Sequence, residues 1–307
     1  MKTAARLSDK SLSPLEQEGK EARRTAPTAS EYTRLWRRFC RNKGAVFGLG
    51  VFVAIVLMAL LADVIAPYNP LEQNYARIME GPSPDHWLGT DSFGRDLLSR
   101  IIYGSRIALI VGIVAVLLAM VVGVTLGLIS GYYGGLIDTI IMRVMDGLFA
   151  FPILILAIAL MAVMGFGVRN VILAVAVVSI APFARVTRGD VLAIREEPYI
   201  EAARLSGISN TAIIFRHVLP NVMAPIIVQG ALRVSAAIIT EAGLSFLGLG
   251  PQPPTPVWGS MIAEGRNFIV MAPHISTFPG IALMVTVVGL NLFGDGLRDT
   301  LDPKLRQ

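Results

Sequence analysis

Long stretches of this chain hold almost only apolar side chains, and polar positions return in clusters between them. The first apolar run is "AVFGLGVFVAIVLMALLADVIA", residues 45–66, and others cover about 107–129, 144–164, 170–187, 223–247 and 275–294. Each approaches or exceeds the ~20 residues that cross a hydrocarbon core. Buried helices of soluble proteins rarely reach such lengths in series. The pattern therefore predicts an all-α polytopic membrane protein with six transmembrane helices. Glycine and proline inside these runs fit that reading, because neighbouring helices can satisfy the freed backbone groups. Asp63 lies near the far end of the first run, where a carboxylate costs less. Asp146 and Pro152 lie in the first half of the third, so part of that span is expected to face protein. Pro182 stands near the end of the fourth.

The polar segments differ in length. Residues 67–106 form the largest, opening with the helix-breaking "PYNP". Within it, apolar residues at 97, 98, 101 and 102 predict an amphipathic helix from Phe93 to Arg106, lying at the membrane interface. In residues 248–274, Pro251, Pro253, Pro254 and Pro256 argue against a regular helix, and Trp258 is expected at headgroup level. Lysine and arginine orient the whole. With the N-terminus inside, 20 of them fall on the inner side and six outside, with Arg233 left within the fifth span. This bias predicts cytoplasmic termini and a cytoplasmic segment 188–222. The first 44 residues are polar, and the apolar run that follows is too long for a signal peptide. Residues 1 to about 30, rich in Ser, Thr, Glu, Lys and Pro, read as a disordered tail.

Composition agrees: 54% of residues are apolar and 16% charged, against about 25% charged in ordinary soluble domains. The net charge of +5 follows from topology and gives no argument for nucleic acid. The single cysteine, Cys40, excludes an internal disulfide, and His86, His217 and His274 show no ligand spacing, so no metal site is expected. Neither a phosphate-cradling G-x-x-x-x-G-K-[ST] loop nor a His-Glu-x-x-His site is present. No enzyme activity and no bound cofactor are expected; ATP would be used by partner subunits. A proton-coupled secondary transporter would need more spans or internal repeats and an ionisable relay within the membrane. The candidates for a relay are Asp146, Arg233 and Glu241. The last two stand about 12 Å apart along a helix, too far for a direct pair.

Segment 188–222 spends about 35 residues where a connector needs only a few. Its core reads "EAARLSGISNTAIIFRHVLPN", residues 201–221. Glu201, Ala202 and Ala203 belong to a first short helix. Gly207 permits a tight turn that a side chain is expected to crowd. Ser209 or Asn210 can cap a second short helix, with Ile214 and Val218 on one face, and Pro220 closes it. The result is a compact knob, either an interfacial helix pair or an element inserted into a cytoplasmic partner.

The knob resembles the "EAA" loop of membrane subunits of ATP-binding-cassette importers: Glu201, Ala202, Ala203, Gly207, Leu219 and Pro220 match, while His217 replaces an apolar residue of the general pattern. "FRHVLPN" is similar to the peptide-importing branch. Four further blocks resemble that branch: "LWRRFCRNKGAVFGLG" (35–50), "HWLGTDSFGRDLLSRIIYGSR" (86–106), "EAGLSFLGLGPQPPTPVWG" (241–259) and "FGDGLRDTLDPKLR" (293–306). The outer-loop signature contains Gly89, Thr90, Asp91, Gly94, Arg95 and Asp96. The likeness covers about residues 32–307, and the long outer loop after the first span marks the C-type subunit of dipeptide, oligopeptide and nickel importers. It implies a tail (1–34), an N-terminal span with the start of the outer loop (35–85), a type I importer permease domain of five spans with the coupling loop 188–222 (86–300), and a cytoplasmic C-terminus (301–307). It also implies a B-type sister permease, two cytoplasmic ATPases and an extracytoplasmic solute-binding protein. Glu201 is expected near basic groups of an ATPase, and Arg233 and Glu241 at contacts with the sister subunit or neighbouring spans. Gly123, Gly127 and Ala174 would allow close packing beside a passage. Only His274, at the rim of the sixth span, offers a histidine near the pathway, which favours a peptide solute over nickel or a metal chelate.

Overall fold

The computed structural model describes residues 29–301. The expectations for a disordered tail and for the last cytoplasmic residues fall on 1–28 and 302–307, outside the described residues. The described chain is all-α, in the order α1 (Ala29–Arg41), α2 (Lys43–Leu60), α3 (Ala62–Ile65), α4 (Leu97–Tyr133), α5 (Gly135–Phe149), α6 (Ile153–Met164), α7 (Val168–Ile194), α8 (Pro198–Leu205), α9 (Asn210–Ile213), α10 (Leu219–Phe246), α11 (Trp258–Arg266) and α12 (His274–Leu301). Five helices are long and apolar enough to cross a membrane, six if α5 and α6 count together as one bent span.

Local chemistry sets the ends. The Asn42 side chain accepts from Ala45 N at 3.2 Å to start α2, and Asp96 accepts from Ser99 N at 2.8 Å to start α4, each satisfying an orphan amide of the first turn. Gly134, at φ +67°, ends α4 in a conformation that costs glycine little. Between the ends, small residues let helices approach closely. Gly123 and Gly127 of α4 stand where an added Cβ would come within 2.6 Å of the Ile180 and Ala184 carbonyl oxygens of α7. Gly48 of α2 and Gly289 of α12 make the same kind of contact with each other's helix. The expected close packing is thus present, and it joins helices of this one chain; Ala174 is buried in the same core.

Several boundaries differ from expectation. The third span is not straight: α5 and α6 meet at 93°. Pro152 lacks an amide hydrogen and disfavours helical geometry at Phe151. The interfacial helix expected over 93–106 is instead the beginning of α4, with Leu97, Ile101 and Ile102 buried. A regular helix, α11, does form inside 248–274, because Pro251, Pro253, Pro254 and Pro256 all precede its first residue. Trp258 is 1% exposed, and its Nε1 donates to the Ile101 carbonyl at 3.0 Å; it packs in the core and does not present its ring to the surface as an anchor would. Helix α1 already begins at Ala29, inside the stretch assigned to the tail. Pro220 does not close the knob. It sits in the first turn of α10, and a π-turn over Ile214–Val218 makes residues 210–246 one continuous rod.

Candidate functional site

The helices order the polar residues into two groups at opposite ends of the bundle. One end carries the knob. Ile200 and Ala203 of α8, with Ile213, Ile214 and Val218, are buried against Leu128 and Tyr132 of α4 and Val191 of α7. Between the helices Gly207 turns the chain at φ +78°. An added Cβ there would meet nothing within 4 Å, so the turn depends on backbone conformation and not on crowding, contrary to the sequence expectation. Ser209 accepts from Ala212 N at 3.4 Å and caps α9. Tyr132 donates to Asn210 Oδ1 at 2.9 Å, Arg195 donates to the Gly131 carbonyl at 3.0 Å, and Arg204 lies over the Tyr132 ring. These contacts fix the base of the knob. Its outer surface is different: Glu201, Ala202 and Leu205 are exposed, Leu205 to 83%, with Ile208 also exposed, whereas Phe215 lines an apolar cavity against Val121 and Thr125 of α4. Burial and the nearby Glu197 push the Tyr199 phenol up, keeping it neutral. Leu219 is half-buried and Pro220 exposed.

The opposite end carries the 67–96 segment, held by buried charge. Gly89, Thr90, Asp91, Gly94, Arg95 and Asp96 come together in one turn, with a bridge between Thr90 and Asp96. Asp91 accepts from Phe93 N, Arg95 N and Arg95 Nε at 2.8, 3.0 and 2.6 Å, and Arg100 Nε lies 3.3 Å from the same Oδ2 that Arg95 Nε meets, as an ion pair without a hydrogen bond. Arg95 also reaches Glu264 of α11 at 3.2 Å, which Ser92 contacts too. His86 Nδ1 lies 2.9 Å from Asp96 Oδ1. His274, at the start of α12, meets the Thr90 carbonyl at 3.1 Å. Gly94 (φ +70°) tolerates no side chain, since a Cβ would stand 1.9 Å from the Asn74 carbonyl oxygen. Asp91, Arg95, Asp96 and Arg100 are all buried. Such a set is tolerable only when every member is paired, and it locks the segment onto α4 and α11.

The remaining candidates do not join either group. Asp146 of α5 pairs with Arg185 of α7 at 2.6 Å. Glu241 is 1% exposed and accepts from Ser245 Oγ at 2.6 Å within its own helix. Arg233 is half-buried, and its side chain has no hydrogen-bond or ion-pair partner among the described residues. Arg233 and Glu241 do not pair, as their spacing predicts. Sequence reasoning missed the bidentate pair of Arg188 with Asp138, at 2.5 and 2.6 Å, which with Arg185–Asp146 ties α5 to α7. The available signal was two arginines three apart facing two aspartates eight apart. Among the described residues, no group of three or more His, Cys, Asp or Glu could hold a metal ion.

The sequence and the fold are similar to those of known proteins. Residues 123–307 match the family described as "Binding-protein-dependent transport system inner membrane component", and residues 30–82 match the "N-terminal TM domain of oligopeptide transport permease C". The glutathione transport system permease protein GsiD of Pectobacterium atrosepticum is 49% identical over 90% of this chain and 92% of its own length. The protein of that name from Escherichia coli O6:K15:H31 is 47% identical over 88% and 90%. Among solved structures, an inward-facing MetNI methionine ABC transporter chain aligns with TM-score 0.53 at 17% identity, covering 66% of this chain and 97% of that one, a likeness of fold. The chain is multi-pass and belongs to the binding-protein-dependent transport system inner membrane components, as a C-type permease subunit of the ABC importer family for peptides and nickel.

Proposed function

We propose that this chain, with a B-type sister permease, forms the pathway through which a small peptide of glutathione size enters the cell. Two cytoplasmic ATPases drive it, and an extracytoplasmic binding protein delivers the solute. The observation that carries the mechanism is the knob: an exposed face built from Glu201 and Leu205, four apart on α8, on a base fixed by Tyr132, Asn210 and Arg195. An exposed apolar and acidic face on a rigid base suits insertion into a partner's cleft. Because its base is α4, α7 and the α10 rod, displacement of the knob moves three long helices together. Coupling of this kind needs two distinct sites and discrete arrangements of the elements between them. The lysine and arginine bias assigns the knob end and both termini to the cytoplasm, and the 67–96 segment to the side where a binding protein arrives. The peptide solute is supported by relatives 47–49% identical that are named glutathione transport permeases. Uptake into proteoliposomes holding both permeases and the ATPases, with the binding protein supplied, tests the reading. ATP-dependent uptake of glutathione or short peptides is expected. Uptake of a nickel chelate with no peptide uptake would replace the solute.

A further inference from the structure

Arg233 stands near the middle of the continuous rod 210–246, where a cation exposed to lipid costs at least about 2.5–3.5 kcal/mol. It has no acidic partner among the described residues: Glu241, the nearest acid along the helix, is buried and held by Ser245. It also belongs to a stripe. Gln229, Arg233, Ala236 and Thr240 are spaced four, three and four, which puts them on one face of α10, and all four are half-buried. Ser235, Ile238, Glu241 and Ala242 of the same helix are buried. The stripe is small or polar over about 16 Å, longer than a single ion pair with a neighbouring subunit requires. Towards the knob end it continues into a cavity of about 440 Å³ lined by Gln229, Leu232, Asn221, Pro225, Val186 and Arg298. That volume lies within the roughly 300–1,000 Å³ of small-molecule sites. A cationic, neutral-polar face leading to a cationic mouth complements an anion.

We infer that Arg233 binds the free carboxylate of the transported peptide inside the passage, with Gln229 and Thr240 offering neutral hydrogen-bonding groups along the same face. The inference rests on the peptide reading above. It makes Arg233 a specificity residue for solutes carrying a terminal carboxylate. A planar guanidinium suits this because it donates two parallel hydrogen bonds to a carboxylate.

The test uses the complete importer in proteoliposomes, with binding protein preloaded with one of two acids, glutathione or trialanine, or with amides that carry no carboxylate, trialanine C-terminal amide and glutathione amidated at both its carboxylates. Arg233→Gln should lower the maximal uptake of the acids about tenfold or more, as expected for losing a hydrogen bond to a charged group, while sparing the amides. Arg233→Lys should restore part of the acid uptake. Equal uptake of acid and amide by the wild type, or unchanged acid uptake in Arg233→Gln, overturns the inference while the peptide reading stands. Loss of the sister permease on copurification of Arg233→Gln also overturns it, because the partner is then an acid of that subunit. No peptide uptake by the wild type removes both readings.

Discussion

At Gly207 a single backbone angle decides the geometry of the knob. Since a Cβ there has open space and φ is +78°, the cost of substitution is conformational. Gly207→Leu should therefore impair transport with little loss of protein from the membrane, and Gly207→Asn, which tolerates the left-handed region, should retain more activity than leucine. Equal defects in the two variants would point to crowding after all. Glu201→Ala removes the exposed carboxylate and should reduce solute-dependent ATP turnover without changing the amount of assembled complex. Normal coupling in this variant would make Glu201 a bystander. Asp91 is the contrasting case. It faces two buried guanidinium groups, and removing one partner of a buried pair costs about 3–5 kcal/mol. Asp91→Ala should lower the midpoint of thermal unfolding in detergent and expose residues 67–96 to protease. The glycines and the charges of these two sites were legible in the sequence as types. The reason for Gly207 was not, because whether a Cβ meets atoms or space depends on helices distant in the chain.

Helices read as uniform apolar runs turn out to have unequal duties. All the long elements were predictable from hydrophobic length, yet their ends were not. Leu97, Ile101 and Ile102 carry the same apolar character whether they face lipid or cover α11, so periodicity alone could not distinguish an interfacial helix from the first turns of α4. Trp258 was misplaced for a related reason: a proline-rich approach masks a helix that begins immediately after it. The broken pair α5–α6 shows what pattern omits altogether. Pro152 was legible inside the third run but the bend was not read from it, and the two arginine clamps from α7 to α5 arise only when the helices pack. Arg188→Ala should release α5 while leaving α7 intact. Hydrogen exchange of the 135–149 amides should rise well above that of α7, and unchanged protection would show that apolar contacts suffice to hold α5. A bulky residue at Gly127 should act more severely, since it must displace the Ala184 carbonyl; Gly127→Leu is expected to reduce the folded protein recovered from membranes.

Across the whole molecule, the lysine and arginine bias predicts the sides. Single cysteines at Ser209 and Ser83, in a Cys40-free background, should label differently with an impermeant thiol reagent. Only Ser83→Cys is expected to react in intact cells, and labelling of Ser209→Cys from outside would invert the arrangement. Purified alone, the chain should hydrolyse no ATP, given the missing phosphate loop; turnover free of contaminating ATPase would contradict the permease assignment of energy to partners. Family and general architecture were already readable in ordered sequence blocks, whereas the pairing of distant charges was not. One feature joins the two ends. Helix α4 is 37 residues long, about 55 Å, well beyond the ~30 Å of a hydrocarbon core. Arg100 near its start belongs to the buried charge cluster, and Tyr132 near its finish holds Asn210 of the knob. The rod therefore sets a rotational phase as well as a distance. One residue inserted near Val116 would turn one end by about 100° against the other, so that Arg100 and Tyr132 could not both keep their partners. The surrounding loops can vary in length without that penalty, but α4 must keep its count.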